Sequence, residues 1–352
     1  MRKKTKIVKI GNIEIGGGKR IVVQSMTNTK TENIKETVKQ IKELESIGCE
    51  IIRLAVPTFE AAEALRTIKK SIKIPIVADI HFDYRLALTS IENGVDKIRI
   101  NPGNIGGIER LKYIVKLAKE RQIPIRVGVN SGSLEKDILE KYGGPKPEAL
   151  VESALKNIRM IEELDYDQIV ISIKSASVMD TIESYMRISS IVDYPLHLGV
   201  TEAGTIRKGT IKSSIGIGFL LYQGIGDTIR VSLTGDPKEE VYVAYEILKN
   251  LELIDSGIDV ISCPTCGRCS VDLVSIANEI DKRLESIKIK KKIKVAVMGC
   301  AVNGPGEAKD ADIGIAGGRG EYLLFVKGKP VRKINEDSAI DVLMEEIEKI
   351  NK

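Results

Sequence analysis

The chain contains no tryptophan, and only 4% of its 352 residues are aromatic. Proteins that hold single-stranded nucleic acid stack its bases on aromatic faces, so that mode of binding has little to work with here. No sign of charge dominates: 54 Lys+Arg stand against 49 Asp+Glu, a net of +5, which gives no global pull on nucleic acid. No apolar run approaches the roughly 18 residues of a spanning helix, so no membrane partner is expected. The basic opening MRKKTKIVKIGN has no apolar stretch behind it. No secretory signal is therefore read, and a cytoplasmic protein is expected. Low-complexity segments and short tandem repeats are missing. Histidine occurs twice, and cysteine five times, too few for a disulfide scaffold of this length. The 43% hydrophobic share excludes a disordered chain.

What is present is a rhythm. TKIVKIGNIEIGG reads as two short alternating strands around the turn signal Gly11-Asn12. Eight β-branched runs follow: Arg20–Ser25, Glu50–Val56, Pro75–Ile80, Asp96–Asn101, Pro124–Asn130, Gln168–Ser172, Pro195–Val200 and Asp227–Ser232. Each precedes an amphipathic segment with helical spacing, such as Ile34–Ile47, Gly107–Arg121, Glu148–Leu164 or Lys212–Gln223. Strand then helix, eight times in about 250 residues, is the sequence form of a (β/α)8 TIM barrel. A doubly wound open sheet is the competing arrangement. The barrel is assigned to residues 1–252. Residues 253–352 are assigned to a small α+β domain with strands at Gly257–Ser262, Lys294–Met298, Asp312–Ala316 and Tyr322–Val326 and helices at Val271–Ser286 and Ala339–Ile350.

Barrel chemistry collects at the C-terminal ends of the strands, and here those ends are polar. In chain order they carry Arg53; Asp79 and His81; Arg99 and Asn101; Arg126 and Asn130; Ser172 and Lys174; His197, Thr201 and Glu202; Arg230 and Ser232. Within most runs these residues are two or four apart, hence on one face. One mouth would gather Arg53, Arg99, Arg126, Lys174 and Arg230. Five cations around one cleft repel one another and call for an anion, and guanidinium forks match phosphate oxygens. A diphosphate is the simplest ligand of that kind. The plainer alternative is that single arginines pair with structural acids inside the barrel. The two histidines fall on strand ends and are candidate ligand contacts.

Cys49 sits alone. Ser262-Cys-Pro-Thr-Cys-Gly-Arg-Cys269 gives Cys-x-x-Cys-x-x-Cys, and Cys300 follows the next strand. Thiolates at that spacing suit an iron–sulfur cluster, with Cys263, Cys266, Cys269 and Cys300 as ligands from spacing alone. Structural zinc is the alternative, though no second Cys-x-x-Cys pair answers the first.

Four segments carry a resemblance. They are Cys263–Cys266, Asn303-Gly-Pro-Gly-Glu307, His197-Leu-Gly-Val-Thr-Glu-Ala-Gly204 and Arg99-Ile-Asn-Pro-Gly-Asn-Ile-Gly106. Together they resemble the bacterial 4-hydroxy-3-methylbut-2-enyl diphosphate synthases, iron–sulfur enzymes of the methylerythritol phosphate route to isoprenoids. The likeness runs along essentially the whole chain. It implies a [4Fe-4S] cluster held by Cys263, Cys266, Cys300 and Glu307, which leaves Cys269 a bystander. It implies as reaction the reductive ring opening and dehydroxylation of 2-C-methyl-D-erythritol 2,4-cyclodiphosphate. The mouth residues Arg53, Asp79, His81, Arg99, Asn101, Arg126, Asn130, Lys174 and Ser232 would then surround the diphosphate. Glu202 becomes the candidate proton donor, and Asn303 would steady the substrate beside the cluster. Flavodoxin or ferredoxin is the implied electron donor, and a head-to-tail homodimer the implied assembly. A pterin-type barrel enzyme with a zinc module is the competing function. The lysine-rich stretch Lys288–Lys294 is either a docking patch for an acidic electron carrier or a solvated linker.

Overall fold

The computed structural model describes residues 2–255, 257–284, 291–300, 306 and 308–352. The chain divides into two compact units, Met1–Leu253 and Ile254–Lys352.

The first unit opens with a hairpin of β1 (Val8–Ile10) and β2 (Ile13–Ile15), paired antiparallel across Gly11, whose φ of +57° suits a residue without a Cβ. Eight parallel strands follow: β3 (Val22–Met26), β4 (Ile51–Ala55), β5 (Ile76–Asp79), β6 (Lys97–Ile100), β7 (Ile125–Asn130), β8 (Ile169–Lys174), β9 (His197–Leu198) and β10 (Thr228–Ile229). They run in order from β3 to β8, β10 pairs with both β3 and β9, and a bridge from Ile171 to Leu196 completes the ring. The eight strand-and-helix units expected from the sequence are therefore present as a barrel.

The covering helices are α1 (Ile34–Ser46), α2 (Phe59–Ser71), α3 (Tyr84–Glu92), α4 (Ile108–Arg121), α6 (Pro147–Glu162), α7 (Val178–Ile191), α8 (Ile206–Tyr222) and α9 (Pro237–Asn250), and a short α5 (Lys136–Tyr142) precedes α6. Side-chain caps fix several starts. Asn33, Thr58, Asp83, Ser177 and Asp236 each accept a backbone N–H of the first turn, and Pro147 and Pro237 occupy first positions that need no donor. Helix α8 begins at Ile206, ahead of the expected Lys212, and α5 was not expected from the sequence.

Strand register fixes what faces the barrel interior. Val22, Ile51, Val77 and Val170 pack with Val8, Ile10 and Ile15 of the hairpin into one buried cluster, so the hairpin floors the barrel. Parallel pairing then carries the same face upward through Gln24↔Ile51, Met26↔Arg53, Val77↔Lys97, Asp79↔Arg99, Arg99↔Arg126 and Asn130↔Lys174. Above an apolar floor, the interior is polar where most barrels pack branched aliphatics.

The second unit is a five-stranded sheet of β11 (Gly257–Ser262), β12 (Lys292–Met298), β13 (Ile313–Gly317), β14 (Glu321–Val326) and β15 (Lys329–Asn335), with α10 (Leu273–Leu284) and α11 (Ala339–Asn351). Strands β11 to β13 are parallel, and β14 and β15 add antiparallel. Leu273, Ile280, Val295, Val297, Ile315 and Leu343 are among its buried core. Strand β15 went unrecognised in the sequence. It is an exposed edge bearing Lys329, Pro330, Arg332 and Lys333, and charge and proline blunt an edge while hiding its strand pattern. The strand expected at Lys294–Met298 begins two residues earlier, so Lys292 belongs to β12 and not to a linker, while Lys288 and Lys290 lie outside the described residues.

Candidate functional site

The C-terminal ends of β4 to β10 bring most of the expected residues together. Asp79 is the acid that several cations share. Its Oδ1 lies 3.2 Å from Arg99 Nη1, and its Oδ2 lies 3.8 Å from Arg53 Nε and 3.6 Å from His81 Nε2. Burial alone would raise its pKa, but Arg53, His81, Arg99 and Arg126 outweigh burial and hold the carboxyl well below the usual range. Arg53 also donates to the Met26 thioether at 3.0 and 2.8 Å, a weak acceptor for a guanidinium. Burial, with Arg230 and Arg99 nearby, brings Arg53 down to about 10 in spite of Asp79. Arg99 Nη2 donates to the Gly128 carbonyl at 3.3 Å. A Cβ on Gly128 would stand 2.3 Å from Arg99 Nε, so the glycine makes room for that side chain.

Arg230, gathered at the mouth by the sequence reading with pairing to a structural acid as the plainer alternative, has such an acid. Glu240 of α9 accepts from its Nη2 at 3.2 Å, and also from the Leu233 N–H at 3.0 Å and the Ser25 hydroxyl at 3.3 Å. Glu240 thus ties β3 and the segment after β10 to α9. Arg126 is different. It is 1% exposed, and its Nε and Nη1 have no hydrogen-bond partner. Burial first, then Arg53 and Arg99, push its pKa well down. Lys174 is buried and is likewise pushed down by burial and by Arg230, Arg53, Arg126 and Arg99. The interior holds the cationic side chains Arg53, Lys97, Arg99, Arg126, Lys174 and Arg230 against the carboxylates Asp79 and Glu240. A buried excess of positive charge with orphan donors is unstable without an anion, because each unmade bond leaves a desolvated donor.

His197 is fully buried, with Nδ1 2.8 Å from Thr228 Oγ1 and Nε2 without a partner. Burial, then Arg126, Lys174, Lys97 and Arg53, hold it neutral. His81 is instead exposed, its Nε2 2.8 Å from Arg99 Nη1. Asn101 spends Oδ1 on the Gly103 N–H and keeps Nδ2 unpartnered. Asn130 and Ser232 are half-buried at their strand ends. Glu202 is exposed in the loop after β9, with a φ of +51° that non-glycine residues seldom adopt. Sequence reasoning missed Lys97 and Gln24. Lys97 is fully buried with an unpartnered Nζ, and both amide atoms of Gln24 are unpartnered. The signal was parity: Lys97 shares the face of Arg99 two residues on.

The cysteines belong to the second unit. Cys263 follows the end of β11 and Cys300 lies just past β12, on adjacent parallel strands with Ser262 opposite Val297. Cys263 Sγ accepts the Gly299 N–H at 3.2 Å. Cys266 is exposed, and the Arg268 backbone N–H and side chain lower its pKa toward the thiolate. Cys269 behaves otherwise: its thiol donates to the Val271 carbonyl at 3.3 Å, and a Cβ on Gly299 would come within 2.5 Å of its sulfur. Cys49 is buried in the barrel unit, with its thiol raised to about 12 by burial. Among the described residues no three His, Cys, Asp or Glu side chains are grouped to hold a metal ion. Asn303 and Glu307 lie outside the described residues. Cys263 and Cys300 at two neighbouring strand ends, with Cys266 drawn toward the thiolate beside Arg268, are soft sulfur donors of the kind that hold iron–sulfur clusters.

The family description "GcpE TIM-barrel domain" matches residues 5–245, and "GcpE protein C-terminal domain" matches 259–349. A relative from Clostridium acetobutylicum is 62% identical over 347 residues, covering 99% of both chains. One from Caldanaerobacter subterraneus subsp. tengcongensis is 62% identical over 352 residues, covering 100% of this chain and 99% of its own. Both are named 4-hydroxy-3-methylbut-2-en-1-yl diphosphate synthase (flavodoxin). Among solved structures, dihydropteroate synthase from Stenotrophomonas maltophilia superposes with a TM-score of 0.53 at 11% identity, over 70% of this chain and 97% of that one. At that identity the likeness shows the barrel fold alone. No described helix is long and apolar enough to cross a membrane.

Proposed function

The chain belongs to the GcpE family along both units, and on that premise we propose that it is a 4-hydroxy-3-methylbut-2-enyl diphosphate synthase. It would open 2-C-methyl-D-erythritol 2,4-cyclodiphosphate and remove its C3 hydroxyl as water, taking up two electrons and protons. The observation that carries this reading is the buried, unpartnered Arg126 at a mouth with more cations than acids. The pterin-type alternative is not supported. Its structural likeness stops at the fold, whereas relatives matching the full length bear the synthase name.

In this reading Arg53, Arg99, Arg126 and Lys174 hold the diphosphate. Asp79 keeps the arginines aimed, with His81, Asn101, Asn130 and Ser232 around it. Fixed donors already facing inward need no reorganisation when the anion arrives. The carboxyl of Glu202 gives its proton to the departing oxygen. A [4Fe-4S] cluster held by Cys263, Cys266, Cys300 and Glu307 would supply electron transfer to the carbon being reduced. Glu307 is the weaker ligand and could yield to substrate, and Asn303 would steady the substrate beside the cluster. Cys269, already bonded to Val271, stays outside the ligand set.

Flavodoxin is the proposed donor, as in the names of the relatives, and the exposed Lys291 and Lys292 would meet its acidic surface. A homodimer is proposed as well. Ile211, Ile215, Phe219 and Tyr222 lie along one face of α8 and are each at least 42% exposed, an apolar row of the kind a partner chain covers. The test is anaerobic: the purified protein should be brown and should convert the cyclodiphosphate to 4-hydroxy-3-methylbut-2-enyl diphosphate with reduced flavodoxin. A colourless protein with zinc in place of iron would overturn the reading.

A further inference from the structure

Lys97 is a buried cation of the barrel interior that the function described so far does not use. It begins β6, and its partner in the register is Val77, whose side chain packs on the hairpin floor. Ile98 and Ile100 alternate with it to the outside, so Lys97 and Arg99 share the interior face. The side chain is fully buried and its Nζ bonds nothing. A structural lysine in a barrel would point its amine at a carboxylate or a row of carbonyls. The groups that act on this one are the cations Arg126 of β7 and Arg53 of β4 and the neutral imidazole of His197 on β9, and none is an acid.

Such a position is costly whichever form the amine takes. As ammonium it adds to a buried positive cluster. As free amine it leaves a desolvated polar group unpaired. Only an anion reaching down past Arg99 and Arg126 removes both costs. We propose that Lys97 is a further residue of the anion site, engaging the bound phosphate from the floor side and joining the complex as ammonium. The inference rests on the diphosphate reading of the mouth and extends it downward.

A second consequence follows from the neighbours. In the unliganded protein burial, then Arg126 and Arg53, hold the Lys97 amine well below its ordinary pKa. A phosphate placed among the same groups reverses the sign of the field. The amine then takes a proton from solvent as the ligand binds, so binding and proton uptake are linked.

The experiment uses full-length, cluster-loaded protein and inorganic pyrophosphate as the probe, by titration calorimetry in buffers of different ionisation enthalpy. Parent, Lys97→Met and Arg126→Met are compared, with thermal melting of each unliganded protein as a check on folding. Lys97→Met should melt no lower than the parent, bind pyrophosphate about tenfold to a hundredfold more weakly, and take up as much as about one proton fewer per site. If Lys97→Met binds with parental affinity and proton uptake while Arg126→Met binds more weakly, Lys97 is structural and the proposal falls alone. If both variants bind pyrophosphate as the parent does, the anion reading of the whole mouth falls, and this proposal with it.

Discussion

Replacing Arg126 by methionine should move stability and binding in opposite directions. The side chain is 1% exposed, Nε and Nη1 have no partner, and its nearest charges include Arg53 and Arg99. In the unliganded protein it is therefore a cost. Exchanging even a buried ion pair for apolar side chains of similar volume is neutral or stabilising by about 1–4 kcal/mol, and an unpaired charge has less holding it in place. At about 2 kcal/mol, a unit of this size should melt about 4–8 °C higher. The bound state reverses the sign. A charge-assisted hydrogen bond contributes about 1.5–3 kcal/mol, or roughly tenfold to a hundredfold in affinity. Calorimetric melting with and without pyrophosphate reads both. At a hundred times its dissociation constant a ligand adds about 2.7 kcal/mol to the parent, which should fall to about 0.4–1.4 kcal/mol in the variant at the same concentration. A variant that melts below the parent and still gains as much from pyrophosphate would refute the reasoning, since Arg126 would then be a satisfied structural residue.

Cys269→Ser should keep its iron, because that thiol is bonded to Val271, whereas Cys263→Ser, Cys266→Ser and Cys300→Ser should lose it. Iron per chain is the measurement, and loss in the Cys269 variant would restore the ligand set read from spacing. Gly128→Ala places a methyl 2.3 Å from Arg99 Nε and should displace that arginine, weakening pyrophosphate binding about tenfold. Unchanged affinity would show that Arg99 reaches no ligand. His197 is held neutral in the folded protein, while the unfolded chain protonates it below a pH of about 6.5. Stability should be level above that pH and fall by up to about 1.4 kcal/mol per unit below it. Urea midpoints should show a shallower acid limb for His197→Gln, and identical limbs would exclude the histidine as its source. Lys291→Gln with Lys292→Gln should slow turnover with flavodoxin at low salt but not with a small chemical reductant. Equal flavodoxin rates would leave those lysines as solvated surface.

The barrel was legible because its parallel strands are covered by helices and so read as apolar runs between amphipathic segments. The mouth was legible through parity: Asp79, Arg99 and Arg126 stand on faces that a period of two assigns correctly. What parity does not give is the partner. Arg230 reads as another mouth cation because its acid, Glu240, lies on the following helix, and only the fold brings the two together. Lys97 was passed over for a related reason. Lysine in a short strand suggests an exposed edge, and nothing local says that the strand is enclosed all round. Strand β15 failed in the opposite sense, since its charges and proline suit an edge and resemble a loop.

The hairpin floor has a consequence for traffic. A barrel stoppered by Val8, Ile10 and Ile15 is a one-ended vessel, so ligand enters and product leaves by the same rim. Product must clear before the next substrate seats, and should compete with it for the same space. The stopper also shapes the electric field. With apolar packing beneath and eight strands around, field lines from the interior cations leave mainly through the rim, where they draw anions inward. Association of pyrophosphate should therefore be fast at low ionic strength and slow as salt rises, while the dissociation rate changes less.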